Sequence, residues 1–230
     1  MVMTGGSVTE PNNFYQTFVT EVQQRTFKAD SRIANSKFRK FIITQLGATL
    51  ETLYLLRDSL AVTVQKPQRC LYADTDWYLA VDTYTSTYYV CYQQLLMVDI
   101  DYGKGNQYLT VDPILAKLRE YAKLHPDLLL EVYASGKGVH VFVISQPHNY
   151  QCDASLTLML ELGCDFYYAI YASIRGWSVR VNAKLGETAP IYTKITRIGT
   201  GQPDDHLVKL VQLHLNFLPV FAQTMESRMY

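Results

Sequence analysis

The chain has 230 residues, 48% of them hydrophobic, which is enough for one large domain or two small subdomains sharing a core. Its formal net charge is zero, which argues against a general polyanion binder, so any contact with nucleic acid requires a local basic patch. The four cysteines lack Cys-x-x-Cys spacing, which argues against a zinc ribbon and a disulfide scaffold. The absence of an apolar run of about 18 residues argues against a membrane span. With no signal-peptide pattern, these features predict a cytoplasmic or otherwise intracellular protein.

The N-terminal third predicts a tail followed by a subdomain of helix and strands. Residues 1–30 form the tail, with a short helix at about 13–28. Apolar residues recur at intervals of three and four over 36–60, which predicts one amphipathic helix. Residues rich in β-branched and aromatic side chains then predict strands at 61–64, 77–81 and 88–92.

The next predicted strand ends in two acids. An apolar run leads into Asp99, and Ile100, Asp101 and a turn glycine follow. Residues two apart on a strand share a face, which places the two carboxylates about 7 Å apart. Mg²⁺ or Mn²⁺ would relieve their repulsion and prefers such oxygen ligands. The alternative is an ordinary strand end with two solvated acids.

A helix and a hairpin follow this strand. Asp112 as N-cap and Pro113 at the first helical position begin the helix, and His125-Pro126 ends it. Residues 128–144 predict a hairpin whose second strand carries His140. Backbone amides of its glycine turn can cradle phosphate oxygens, although a lone strand histidine such as His140 is more often a structural residue. The turn residues are Ser135, Gly136, Lys137 and Gly138.

The remaining chain predicts alternating helices and strands. A helix over 154–162 is capped by Asp153 and ends at Gly163, and a second over 165–174 ends at Gly176. Strands are predicted at 177–182 and 190–198, and a final helix at 204–222 begins at Asp204 or Asp205. Basic side chains that could neutralise phosphates, unless they are ordinary surface cations, are Arg175, Arg180, Lys184, Lys194 and Arg197.

Together these motifs resemble the archaeo-eukaryotic primase superfamily. The first motif of that family is a hydrophobic strand ending in Asp-x-Asp or Asp-x-Glu, here Asp99-Ile100-Asp101. The second is a serine shortly before a strand-borne histidine, here Ser135 and His140, and the third is a lone acid, best matched by Asp165. The resemblance implies an α+β fold over residues 31–230. Its N-terminal subdomain would span 31–92, and its catalytic part, 93–215, would contain an antiparallel sheet like that of RNA-recognition motifs.

The resemblance also implies a function, which is template-dependent nucleotidyl transfer by a DNA primase-polymerase. Asp99, Asp101 and Asp165 would be catalytic and would hold two Mg²⁺ or Mn²⁺ ions. The expected partners are nucleoside triphosphates, single-stranded template with primer, and a helicase or other replication protein in trans. The sequence has no zinc ligands of the kind that accompany priming and no helicase Walker segment. This favours primer extension over priming, and either a catalytic fragment or a small protein of a virus, plasmid or other mobile element. The nucleotide-binding residues would be Ser135, Gly136, Lys137, Gly138, His140, Arg180 and Lys184.

Two other functional classes stay open. A replication-initiator or relaxase endonuclease requires His-hydrophobic-His on one strand, but the strand here continues from His140 to Phe142. A non-catalytic single-strand binding module requires exposed aromatic residues on central strands, for which Tyr133 and Phe142 are candidates. Within the enzyme hypothesis, Asp153 is the alternative to Asp165 as third acid, although helix capping is a sufficient role for Asp153.

Overall fold

The computed structural model describes residues 40, 42–61, 68–82, 87–182 and 192–226. In these residues the chain is a mixed α+β protein with two four-stranded antiparallel sheets, which confirms the predicted fold class at this level. No described helix is both long enough and apolar enough to cross a membrane. The elements are α1 (Leu50–Ala61), β1 (Gln68–Ala73), β2 (Trp77–Asp82), β3 (Thr87–Tyr92), β4 (Met97–Asp101), α2 (Val111–Leu124), β5 (Leu129–Ala134), β6 (Gly138–Val143), α3 (Asp153–Leu162), α4 (Phe166–Arg175), β7 (Trp177–Arg180), β8 (Thr193–Gly199) and α5 (Asp205–Glu226).

The two sheets combine strands that are distant in sequence. Sheet A has the order β1-β2-β3-β7, and sheet B has the order β4-β6-β5-β8. In sheet B, β6 lies antiparallel to both β4 and β5, so β4 and β5 run parallel to each other and α2 connects them. This is a split β-α-β unit, the arrangement expected from the order strand, helix, strand, strand.

Sheet B has one apolar face and one mixed face. Val98 and Ile100 of β4 are buried and alternate with the two acids of that strand. The pairing register places Val141 of β6 beside Val98, and Val132 of β5 beside Val141, so the buried valines continue across the sheet. Because strand side chains alternate, the acids, His140 and Tyr133 occupy the opposite face.

Helix α4 connects the two sheets. It contacts β4 of sheet B and β7 of sheet A, and α1 packs against α3 and α4. Its buried residues include Phe166, Ala169 and Ile170, which belong to one hydrophobic core with both sheets. The start of α4 is therefore held against the end of β4, where the acidic motif lies.

The prediction of one continuous helix over residues 36–60 is wrong. Residues 42–46 are helical, but Gly47 adopts φ of 80° and its amide donates to the carbonyl of Ile43 at 2.9 Å. This left-handed glycine ends the first helix before α1 begins. The strand predicted at 61–64 is not formed at Ala61, which ends α1, and its other residues lie outside the described part of the chain, as does the helix predicted at 13–28.

Two predicted helix starts are shifted, one by two residues and the other by one. Thr110, not Asp112, is the N-cap of α2, and Cys152, not Asp153, is the N-cap of α3. In contrast, Gly163 ends α3 in the left-handed conformation, with φ of 93°, as predicted. Asp204 caps α5 through its carboxylate, which accepts hydrogen bonds from two backbone amides at 2.8 and 3.1 Å.

Candidate active site

Two acids of β4 share one face of sheet B. Asp99 and Asp101 are separated by one residue, and both lie on the face opposite the buried Val98 and Ile100. The side chain of Asp99 is 27% exposed, and Asp101 is exposed at the end of the strand. The i, i+2 spacing therefore places both carboxylates where a ligand can reach them.

The neighbouring strand β6 aligns a histidine and a glycine with these acids. His140 pairs with Asp99, and Gly138 pairs with Asp101. A Cβ atom at Gly138 would lie 2.4 Å from the carbonyl oxygen of Ile100, so glycine allows the two strands to approach this closely. The strand-borne histidine of the predicted hairpin thus lies beside the first acid of the motif.

The turn between β5 and β6 lies at the Asp101 end of β4. The amide of Tyr102, which directly follows Asp101, donates to the carbonyl of Lys137 at 3.1 Å. Gly136 adopts φ of 86° within the turn, a conformation that favours glycine. Ser135 is partly exposed and Lys137 exposed, so the predicted phosphate-binding turn is accessible and adjoins the second acid.

Asp165 lies directly against β4. Its backbone amide donates to the carbonyl oxygen of Asp99 at 2.6 Å, and its Oδ1 accepts from the amide of Tyr168 at 2.8 Å. Asp165 is thus the N-cap of α4 and a neighbour of the acidic motif at the same time. The alternative third acid, Asp153, is exposed and accepts a hydrogen bond from the hydroxyl of Tyr54.

The three carboxylates influence one another electrostatically. Burial raises the pKa of the Asp101 carboxyl above its ordinary value, and Asp99 and Asp165 raise it further. His140 and Lys137 act in the opposite direction on this pKa. Burial also raises the pKa of Asp165, which its hydrogen bond to a backbone amide lowers and the charge of Asp99 raises. Such mutual repulsion is what a bound divalent cation relieves.

The donor set fits a hard divalent cation. Asp99, Asp101 and Asp165 offer carboxylate oxygens, which Mg²⁺ and Mn²⁺ prefer over nitrogen or sulfur. Within the described part of the chain, no three His, Cys, Asp or Glu side chains already converge closely enough to enclose an ion. Binding would therefore require the carboxylate side chains to rotate toward a shared ion.

His140 lies between an acid and a tyrosine. Its Nε2 is 3.3 Å from Oδ1 of Asp99, and its Nδ1 is hydrogen-bonded to the hydroxyl of Tyr192. The ring of Tyr192 in turn packs against that of His214, with centroids 4.9 Å apart. Local sequence does not distinguish Tyr192 from the other tyrosines among the 18 in the chain, so only the fold identifies it as a neighbour of the site.

A cleft of about 330 Å³ opens beside these residues. Sheet A, sheet B and α4 all contribute to its wall, so acidic and basic side chains from distant parts of the sequence meet there. The wall residues are Tyr89, Met97, Asp99, His140, Asp165, Tyr167, Tyr168, Tyr171, Arg175, Ser178, Val179 and Arg180. Asp101 and the turn of residues 135–138 adjoin this wall through β4 but do not line it.

Arg175 is fixed within this cleft by neutral groups. Its guanidinium carbon lies 5.3 Å from the ring centre of Tyr89 and 5.5 Å from that of Tyr171. Its Nε donates to Oγ of Ser178 at 3.1 Å. Among the described residues no carboxylate pairs with Arg175, so its positive charge is available to an anionic ligand.

The other predicted cations do not form one cluster. Lys194 Nζ lies 2.6 Å and Arg197 Nε 3.2 Å from Oε1 of Glu131, which is only 4% exposed. The register of β5 and β8 thus pairs both cations with one buried acid, and neither lines the cleft. Arg180 lines the cleft, and Lys184 lies outside the described residues.

The aromatic candidates for base stacking are buried. Tyr133 is 4% exposed and donates from its hydroxyl to Glu131 at 2.7 Å, and Phe142 is 0% exposed. The prediction that these side chains offer a stacking surface is therefore wrong. Phe142 also occupies the strand position that a second histidine would need for relaxase chemistry, and its ring lies 6.0 Å from that of His214, centre to centre.

The chain has no match in three kinds of comparison. No protein-family model matches the sequence, and no curated protein and no solved structure matches it either. Of the predicted site residues, Asp99, His140, Asp165 and Arg180 line one cleft, with Asp101 and the hairpin turn beside it.

Proposed function

We propose that the protein is a template-dependent nucleotidyltransferase of the primase-polymerase type. The observation that carries this proposal is that acidic and basic side chains line the same cleft. Asp99 and Asp165 lie on one wall, and Arg175 and Arg180 lie on the same cleft from α4 and β7. Carboxylates for cations together with guanidinium groups for phosphates are what transfer of a nucleoside phosphate requires.

The topology of sheet B supports the same proposal. The split β-α-β unit of β4, α2, β5 and β6 places the acidic strand beside the histidine strand, with Asp99 and His140 as a cross-strand pair. The first two motifs of the resemblance to the archaeo-eukaryotic primases lie on these two strands and on the turn before β6. The third, Asp165, begins α4 and is hydrogen-bonded to the backbone of β4, so the three motifs lie close together.

The chain's own residues would bind and orient the nucleotide. Guanidinium groups form strong charge-assisted hydrogen bonds with phosphate oxygens, so Arg175 and Arg180 would hold the triphosphate. His140 and the amides of the hairpin turn would bind the same triphosphate from the side of sheet B. Fixing the triphosphate in this way aligns its α-phosphate for attack by the 3′-hydroxyl of a primer.

The acids would hold the cations of the reaction. Asp99, Asp101 and Asp165 are the residues that would bind Mg²⁺ or Mn²⁺. When bound, these ions would stabilise charge on the attacking and leaving oxygens of nucleotidyl transfer. The substrates are then a nucleoside triphosphate and a primed single-stranded template. A helicase or another replication protein acting in trans inside the cell is the proposed partner.

Neither alternative class has an observation in its favour. The endonuclease would need a second histidine at the position of the buried Phe142. The binding module would need exposed aromatic rings on central strands, but Tyr133 is buried. A phosphate backbone without cations would also be repelled by Asp99 and Asp101.

One experiment separates the three classes. The full chain is incubated with a labelled primer on a single-stranded template, with deoxynucleoside or ribonucleoside triphosphates, and with Mg²⁺, Mn²⁺ or EDTA. We expect cation-dependent lengthening of the primer, and the same reaction without primer separates extension from priming. Cleavage of the strand with covalent attachment to the protein would instead support the endonuclease, and binding without lengthening would support the non-catalytic module.

A further inference from the structure

The hydroxyl of Tyr192 bonds the edge of His140 that faces away from Asp99. Nδ1 of His140 is hydrogen-bonded to this hydroxyl, and Nε2 lies 3.3 Å from Oδ1 of Asp99. The rings of His140 and Tyr192 meet edge to face, with centroids 5.1 Å apart. The other neighbours of the Tyr192 ring are His214 at 4.9 Å and Tyr133 at 6.4 Å between centroids, so the phenol is held on several sides.

The two contacts of the ring favour one arrangement of protons in a neutral imidazole. The Asp99 carboxylate attracts an N–H and repels the lone pair of an unprotonated nitrogen, and at 3.3 Å this places the proton on Nε2. Nδ1 is then the acceptor, and the hydroxyl of Tyr192 donates to it. Burial raises the pKa of Tyr192 well above its ordinary value, and the charge of Asp99 acts in the same direction, so this hydroxyl keeps its proton.

We infer that Tyr192 is a positioning residue that acts through His140 and holds it in the tautomer that presents Nε2–H to the cleft. Without nucleotide, this N–H faces the carboxylate of Asp99. With nucleotide bound, the same donor meets a triphosphate oxygen, which is also an anionic acceptor. The statement about nucleotide rests on the proposed function, whereas the statement about the tautomer does not.

The tautomer is tested directly by nuclear magnetic resonance. The full chain labelled with ¹⁵N-histidine is compared with its Tyr192→Phe variant at pH 8, with His140→Ala used to assign the ring signals. We expect wild-type His140 to show a protonated Nε2 and an unprotonated Nδ1. In Tyr192→Phe the two nitrogens should move toward the averaged shifts of a tautomer mixture. A wild-type His140 protonated on Nδ1, or unchanged signals in the variant, would overturn the inference.

The action through His140 is tested by a double-mutant cycle on nucleotide affinity. Binding of dATP with Mg²⁺ is measured by isothermal titration for the wild type, Tyr192→Phe, His140→Ala and the double variant. We expect Tyr192→Phe alone to weaken binding about three- to ten-fold, the value of one hydrogen bond. In the His140→Ala background the same change should have no further effect, because the group through which Tyr192 acts is gone.

A matched tyrosine provides the control. Tyr121→Phe removes a hydroxyl that donates to Glu161 at 2.6 Å, between α2 and α3, and should leave both the His140 signals and dATP affinity unchanged. Equal and additive losses from Tyr192→Phe in both backgrounds would overturn the inference. If wild-type protein does not bind dATP, the proposed function fails and the tautomer measurement alone decides the role of Tyr192.

Discussion

Acidification should destabilise the fold through His214, a fully buried histidine of α5. Burial, and to a smaller extent the nearby His140, lowers the pKa of His214 from 6.5 to about 3. Below about pH 6.5 the unfolded chain therefore binds a proton at this residue while the folded chain does not. The free energy of unfolding must fall as the pH decreases through this window.

The size of the effect follows from the two pKa values. Each pH unit below the pKa of the unfolded state lowers the free energy of unfolding by about 1.4 kcal/mol, as long as His214 stays neutral in the folded state. At pH 5, which is roughly 1.5 units below the unfolded value, His214 should have reduced the free energy of unfolding by about 2 kcal/mol relative to pH 8. Burial also lowers the pKa of His148 to about 4, which adds to the acid sensitivity of the wild type.

The contribution of His214 is isolated by comparing variants. Urea unfolding at pH 8, 6.5 and 5 is measured for the wild type and His214→Leu. The difference between them cancels every other titrating group, so the variant should lose about 2 kcal/mol less on acidification. Phe142→Leu, a neighbouring core change without a titrating group, should unfold more easily at each pH but keep the wild-type pH dependence. Parallel curves for wild type and His214→Leu would refute the reasoning.

Three further substitutions test the site and its supports. Gly138→Ala should lower the free energy of unfolding in urea by about 1–3 kcal/mol, because the new Cβ atom would lie 2.4 Å from the Ile100 carbonyl oxygen. A variant as stable as the wild type would contradict this. Burial raises the pKa of Glu131, but side-chain hydrogen bonds from Lys194, Arg197 and Tyr133 outweigh this and hold the pKa below its ordinary value. Glu131→Gln should therefore lower the free energy of unfolding in urea at pH 7 by about 1–3 kcal/mol, and an unchanged midpoint would show that these hydrogen bonds contribute little. Asp165→Asn should abolish nucleotide incorporation per folded molecule. Asp153→Ala should retain incorporation and change the free energy of unfolding by no more than about 0.5 kcal/mol. The reverse pattern would exchange the roles assigned to the two acids.

Local chemistry made the acidic strand and some of the helix ends predictable. The apolar run before Asp99 predicts a buried strand, and alternation alone then places Asp101 on the same face. Gly163 and Asp204 act at helix ends for reasons that need no tertiary contact, namely a left-handed conformation and a side-chain oxygen for free amides. Such features depend only on a few consecutive residues.

Long-range pairing explains what the sequence did not reveal. The residues next to Lys194 and Arg197 give no sign of an acidic partner, and only the register between β5 and β8 shows that both pair with Glu131. In the same way, Tyr192 is 52 positions from His140, and nothing in its immediate neighbours predicts their hydrogen bond. The break at Gly47 escaped prediction because an apolar period continues on both sides of a single glycine.

The central claim, that the acids of β4 carry nucleotidyl transfer, is tested most directly by single-nucleotide incorporation on a primed template. Asp99→Asn and Asp101→Asn keep the size of each side chain and remove its charge, while Asp112→Asn makes the same change at an exposed residue in the first turn of α2. Because a lost cation ligand removes several kcal/mol of charge stabilisation, we expect both β4 variants to fold normally by circular dichroism and to lose incorporation, with Asp112→Asn as active as the wild type. Cation-dependent incorporation near the wild-type rate in both β4 variants would contradict the claim.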